Sequence, residues 1–181
     1  RIGYLPQSPE VAWDLTVDVL VGLGRLPWQG AALHRPHATA ARDAEAVAAA
    51  LTAMDLAALR DRPVSQLSGG ERARALAARV LAGEPGWILA DEPLANLDLA
   101  HAASLMRLLR AQAAAGRGVV LVLHDLATAM NRADRVVVLE HGAVAAIGPP
   151  RAVLTEALIE RVWGVPVHWV GEGAALALTI I

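Results

Sequence analysis

The sequence has no cysteine and no lysine; its sixteen basic residues are all arginine. The first absence excludes disulfides and thiolate metal sites. The second excludes any chemistry that needs a lysine ammonium from this chain. Long apolar runs are missing too. The longest strongly apolar stretches are short, such as VVLVL at 119–123, and none approaches the ~18–20 residues that a membrane-spanning helix needs. The opening RIGYLPQSPE lacks the basic and apolar regions of a signal peptide. It starts on Arg1 rather than Met, so a piece of a longer protein is the expectation. Acidic and basic residues are interspersed at a net charge of −2, with no basic run; the composition gives nucleic-acid binding little support.

What is present suits one domain. A length of 181 residues can bury a real core, and 55% of the residues are apolar, many of them alanine. Residues 1–7 read as a short strand running into a loop, since Pro6 and Pro9 break any helix. A helix over 16–24 would be capped by Thr16 and ended by Gly24. The stretch 27–39 is loop-like, and 39–56 is strongly helical, capped by Thr39 with Val47, Leu51 and Met54 on its apolar face.

From there the pattern alternates. A helix over 71–83 places Ala73, Leu76, Ala77, Val80 and Leu81 on one face. A strand WILAD (87–91), a helix over 98–115, a strand over 118–124 and a short helix near 125–131 follow. Two strands flank His141-Gly142, one or two small helices lie in 149–164, and the tail reads as a hairpin. Near-continuous apolar strands between helices imply a sheet buried on both faces. The fold class is α/β with a helical insert. The expected division is a mainly helical part over 8–84, an α/β core over 85–148 and C-terminal helices and hairpin over 149–181.

Several short motifs could carry chemistry. In LSGGE, 67–71, Ser68 and Glu71 have the S-x-x-E spacing of a capping box. That alone describes a good helix start. Two glycines inside the box weaken the first turn by roughly 1 kcal/mol each. In exchange they bare backbone N–H groups at the positive end of a helix, an anion site suited to phosphate. In WILADEP, 87–93, a strand ends in two adjacent acids. At the carboxyl end of a parallel strand they face the crevice where α/β proteins bind ligands. Asp91 could hold Mg²⁺, and Glu92 could polarise an attacking water. Asp98 reads equally as the N-cap of the helix that follows. His124 closes an apolar strand, where a histidine is more often structural than catalytic. Gln7 alone carries no signal. His34 and His37 lack further ligands, and GLGRLP at 22–27 ends on Pro27, which excludes a G-x-G-x-x-G dinucleotide fingerprint.

In order along the chain these pieces are far more specific. Gln7, LSGGE at 67–71, WILADEP at 87–93, NLD at 96–98 and LVLHD at 121–125 resemble the Q-loop, signature motif, Walker B motif, D-loop and switch histidine of ABC transporter ATP-binding subunits. The resemblance spans residues 1 to about 165. It implies a P-loop NTPase-like core with a helical subdomain, ATP and Mg²⁺ as ligands, and ATP hydrolysis coupled to transport. Position by position, it implies that Asp91 and Gln7 serve Mg²⁺ and that Glu92 is the general base. His124 would contact the γ-phosphate and Asp98 would work across a dimer interface. Ser68, Gly69, Gly70 and Glu71 would meet the ATP held by a second, head-to-tail subunit.

The resemblance also implies a polytopic membrane permease, contacted through the Q-loop and the helical part, and a periplasmic or surface binding protein. The subunit would sit on the cytoplasmic face of the membrane. YLPQ and TVDVLVGLGRLPW look like importers of iron–siderophore, haem or cobalamin. The alternatives are an ABC ATPase not coupled to import, or a catalytically silent fragment. One departure is a glutamate, Glu71, where the signature usually ends in glutamine. The larger one is the missing phosphate loop, G-x-x-x-x-G-K-[ST], which no lysine-free chain can hold. A chain truncated before the Q-loop, inactive by itself, is the expectation.

Overall fold

The computed structural model describes residues 1–7, 14–28, 37–173 and 175–181, without the side chains of 37–39. Pro9, His34 and most of the expected 27–39 loop lie outside the described residues, and so does the side chain of His37. The chain divides into two units, Arg1–Val122 and Leu123–Ile181.

The first unit is built on a three-stranded parallel sheet, β1 (Ile2–Leu5), β2 (Trp87–Asp91) and β3 (Gly118–Val122), in that order. Between β1 and β2 run α1 (Val17–Gly22), α2 (His37–Ala53) and α3 (Gly69–Ala82); α4 (Leu99–Ala114) crosses from β2 to β3. Parallel pairing requires such crossovers, and α4 supplies the usual βαβ connection. The core forms where α3 is inserted. Ala75, Leu76, Ala77, Ala78, Val80, Leu81 and Ala82 are all buried, and the helix packs on α1, α2, α4 and β1. Its many alanines let four neighbours approach so closely. Val17, Leu20, Val21, Leu51, Met54, Leu105 and Leu109 complete the cluster, together with Ile88 and Ala90 of the sheet.

Among the described residues of the first unit, the two faces of the sheet differ, against the expectation of cover on both. Leu5, Ile88 and Ala90 are buried, but Ile2 is 74%, Trp87 57% and Val122 46% exposed on the opposite face. A continuous apolar run records what a strand is suited to, not what covers it. Two helix boundaries also differ. Helix α1 stops at Gly22 and the chain continues as a 3₁₀ helix, Leu23–Trp28, with Pro27 inside it. Gly24 therefore ends nothing. A Cβ on it would lie 2.0 Å from the Arg79 carbonyl oxygen, so the glycine permits close backbone packing. Helix α2 is already under way at His37, which places Thr39 inside it.

The second unit holds α5 (Leu126–Arg132), the antiparallel pair β4 (Val136–Glu140) and β5 (Ala143–Gly148), the short helices α6 (Pro150–Val153) and α7 (Glu156–Trp163), and the hairpin β6 (Val167–Glu172) with β7 (Ala175–Ile180). The turn between β4 and β5 takes positive φ at both His141 and Gly142, the pattern of a two-residue hairpin turn that follows strand twist. Its core gathers Met130, Val138, Val153, Leu154, Ile159 and Val167.

Arg25 is the buried charge of the first unit, at 2% exposure. Its Nε donates to Asp43 at 2.8 Å. One terminal nitrogen donates to the Ala82 carbonyl at 2.8 Å and to Glu84 at 2.6 Å. The guanidinium also lies 4.8 Å from the Trp28 ring centroid. This ties the 3₁₀ segment to α2 and to the end of α3. Truncation removes the charged hydrogen bonds to Asp43 and Glu84, the donor to the Ala82 carbonyl and the packing on Trp28, so Arg25→Ala should lower the stability of the full-length protein by about 3 kcal/mol in denaturant unfolding. Arg25→Lys should rescue little, because a point charge cannot replace the planar fork. A loss under about 1 kcal/mol for Arg25→Ala, the range of exposed pairs, contradicts the assignment.

Candidate active site

Strands β1 and β2 are parallel with Leu5 opposite Ala90. The next residues of each, Pro6-Gln7 and Asp91-Glu92, therefore leave the carboxyl edge of the sheet together. Open α/β sheets bind their ligands at that edge. Gln7 Nε2 donates to Glu92 Oε2 at 2.6 Å. The Tyr4 hydroxyl donates to Asp91 Oδ2 at 3.3 Å. Desolvation, then the charge and hydrogen bond of Asp91, hold the Tyr4 hydroxyl above its ordinary pKa, so it remains a donor.

The two adjacent acids are separated by backbone geometry. Strand β2 ends at Asp91, and Glu92 takes φ 46°, in the left-handed region. A non-glycine residue there costs on the order of 1–3 kcal/mol and is held only by its surroundings. One restraint is the Glu92 amide, which donates to the Val122 carbonyl at 3.1 Å. Asp91 consequently meets Tyr4 while Glu92 meets Gln7, and both acids are half-buried.

A second group of expected residues assembles at two helix starts. Ser68 caps α3: its Oγ accepts from the Glu71 amide at 3.3 Å, while Glu71 Oε2 accepts from the Ser68 amide at 2.8 Å. The capping box is complete. The Arg72 amide bonds the Ser68 carbonyl. Gly69 and Gly70 hold the first two positions of α3, where backbone N–H groups have no partner further back in the helix. Asp98 caps α4, accepting from the His101 amide at 2.9 Å. It also holds His101 Nδ1 at 2.6 Å. The backbone hydrogen bond from His101, then its ring, lowers the Asp98 pKa. An ionised carboxylate only accepts, so Nδ1 carries a proton.

The two glycines are not equivalent. A Cβ on Gly69 would meet nothing within 4 Å, whereas one on Gly70 would lie 1.9 Å from Cδ2 of His101. Gly69 is open, and Gly70 is the floor on which the His101 ring rests. His124 is an exposed residue of the second unit, one position before Asp125, the N-cap of α5.

Tyr4 and His101 were not singled out from the sequence. Tyr4 shares a sheet face with Asp91 only once the β1–β2 register is known. His101, three residues after Asp98, matches the spacing at which an N-cap meets its amide, but nothing local marks its contact with Gly70.

Asp91 and Gln7 offer hard oxygen donors of the kind Mg²⁺ accepts. Mg²⁺ typically takes one or two protein oxygens and completes its shell with phosphate and water. Among the described residues no cluster of three or more His, Asp or Glu could hold a metal by itself. Asp91 and Gln7 could add their oxygens to the shell of a Mg²⁺ that a phosphate ligand also holds.

Residues 1–95, just over half of the chain, match the family described as ABC transporter. The chain belongs to the ABC transporter family. It is similar to the hemin import ATP-binding protein HmuV of Rhodococcus jostii, 48% identical over 98% of this chain and 60% of that protein. It is also similar to the HmuV of Streptomyces coelicolor, 45% identical over 93% of this chain and 58% of that protein. The chain thus spans about 60% of the length of these curated relatives. Among solved structures, a metal-chelate type ABC transporter in an inward-facing conformation superimposes with TM-score 0.83 at 26% identity, over 99% of this chain and 71% of that one. The cbiO1 protein of Clostridium perfringens, part of the ABC transporter complex cbiONQ, gives TM-score 0.71 at 28% identity, over 88% and 61%. The expected α/β fold of an ABC ATPase is the one observed. No helix among the described residues is long and apolar enough to cross a membrane.

In this ABC chain the Glu71 carboxyl lies below its ordinary pKa. The Ser68 amide is the largest cause; the Ser68 hydroxyl and the charges of Arg62 and Arg74 add to it against desolvation. A lowered folded-state pKa means stability fully present above the unfolded value and lost as pH falls through the folded one. The stability gap between the full-length protein and its Glu71→Ala variant should therefore be constant near neutrality and shrink below the ordinary glutamate range. Denaturant unfolding at stepped pH reads it. A gap that holds or widens in acid contradicts the capping role.

Proposed function

We propose that the chain is the larger part of the ATP-hydrolysing motor subunit of an ABC importer, and that its cargo is haem or a related iron chelate. The observation that carries the catalytic half is the pairing of Gln7 with Glu92 beside Asp91, at the common carboxyl edge of β1 and β2. The similarity to hemin import proteins at 44–48% identity supports the cargo.

On this reading Glu92 is the general base. It takes a proton from the water that attacks the γ-phosphate, and its half-buried place beside Gln7 keeps it aimed. Asp91, oriented by Tyr4, and Gln7 hold Mg²⁺, which neutralises charge on the phosphates when bound. Gln7 links the base to the chain that leads into the helical part, where a membrane permease would dock. His124 contacts the γ-phosphate. The start of α3, Ser68 to Glu71, meets ATP bound by a second head-to-tail subunit, and Asp98 lies at that subunit boundary. A lysine-bearing phosphate loop would have to be supplied in addition to these 181 residues, which hold no lysine. A binding protein delivers the cargo to the permease, which places the subunit at the cytoplasmic face of the membrane.

In the full-length protein, Glu92→Gln should lower kcat for ATP hydrolysis by about 10²-fold or more, the usual effect of losing a general base, while ATP binding persists. Turnover within a few-fold of wild type would refute the base assignment.

A further inference from the structure

We propose that His101 is a positioning residue that links Asp98 to the Gly69-Gly70 backbone at the start of α3. This rests on the reading of α3's first turn given above. Capping α4 needs only the hydrogen bond from the His101 amide to Asp98, at 2.9 Å. The second bond, from the ring Nδ1 at 2.6 Å, does no capping. It fixes the ring, and the ring lies on Gly70.

The contact is not a loose one. A Cβ on Gly70 would fall 1.9 Å from Cδ2, 2.2 Å from Cγ and 2.7 Å from Cβ of His101. Rotating the ring away would still leave its own Cβ in collision, so the glycine is required by how closely α3 and α4 pack. Gly70 is buried, while Gly69 beside it faces open space. The ring therefore packs on the Gly70 backbone and leaves Gly69 open. When Asp98 is drawn to another partner, Nδ1 loses its acceptor and the ring its anchor. The change reaches the Gly70 backbone directly. A residue at the subunit boundary is thereby connected, inside one chain, to the amides that meet the partner's ATP.

The test uses the full-length protein with Asp98→Ala, His101→Ala, His101→Asn and the Asp98→Ala/His101→Ala pair. Backbone amide resonances of Gly69 and Gly70 are one readout; KM and kcat for ATP are the other. Asp98→Ala should move the Gly70 resonance when His101 is present and leave it in place when His101 is already alanine. His101→Ala should raise KM about fivefold or more, the lower end of site-to-site coupling, with kcat within about twofold. His101→Asn, which returns an N–H donor, should restore most of both signals. Asp98→Ala shifting Gly70 equally in both backgrounds overturns the link, as does His101→Ala with unchanged KM or no rescue by asparagine. A wild-type protein that hydrolyses no ATP defeats the functional reading instead, and the resonances alone then decide the link.

Discussion

The register of β1 against β2 is the constraint on which the candidate site depends. Leu5 opposite Ala90 brings Gln7 and Glu92 off the sheet within hydrogen-bonding distance, though they lie far apart in the chain. Because side chains alternate with period two, a slip of one residue would turn Tyr4 away from the face of Asp91 and send Leu5 out of the core. The register is held from the buried side. Leu5, Ile88 and Ala90 pack beneath the sheet, and Gly3 lets β1 settle against Val80 and Pro85. A hydrophobic core set by α3 thus fixes the geometry of four polar residues at the sheet's edge.

The same helix contributes at both ends. At its start, the Ser68–Glu71 box satisfies two orphan amides, while Gly69 lies open and Gly70 is buried. At its other end, the Ala82 carbonyl and Glu84 are gripped by Arg25, which joins the 3₁₀ segment Leu23–Trp28 to the core. Movement of that segment would bear on α3, and through α3 on its first turn, Ser68 to Glu71. The left-handed backbone at Glu92 is a separate device: it goes with two adjacent acids that meet different partners, Asp91 with Tyr4 and Glu92 with Gln7.

Much of this was legible in the sequence. The α/β class, the Ser68 and Asp98 caps, the strand ending at Asp91 and the turn at His141-Gly142 all rest on local signals: capping spacing, apolar runs and turn chemistry. Those signals are short-range, and so they survive reading one segment at a time. What was not legible is relational. Continuous apolar runs suggested a sheet covered on both faces, yet Ile2, Trp87 and Val122 stand open. The boundary at Gly24 was misplaced because a glycine that permits close packing looks like one that ends a helix. Tyr4 and His101 stayed invisible because their partners, Asp91 and Gly70, come from distant parts of the chain. Gly69 and Gly70 read as sharing one purpose; in the fold Gly69 lies open and Gly70 serves the packing of α3 on α4.

We propose that Gln7 and Glu92 act as one unit in ATP hydrolysis. A double-mutant cycle on kcat with Gln7→Ala, Glu92→Gln and the pair, in the full-length protein, tests it most directly. The account predicts strong non-additivity, with the double variant no slower than Glu92→Gln alone. Losses that multiply independently would contradict it.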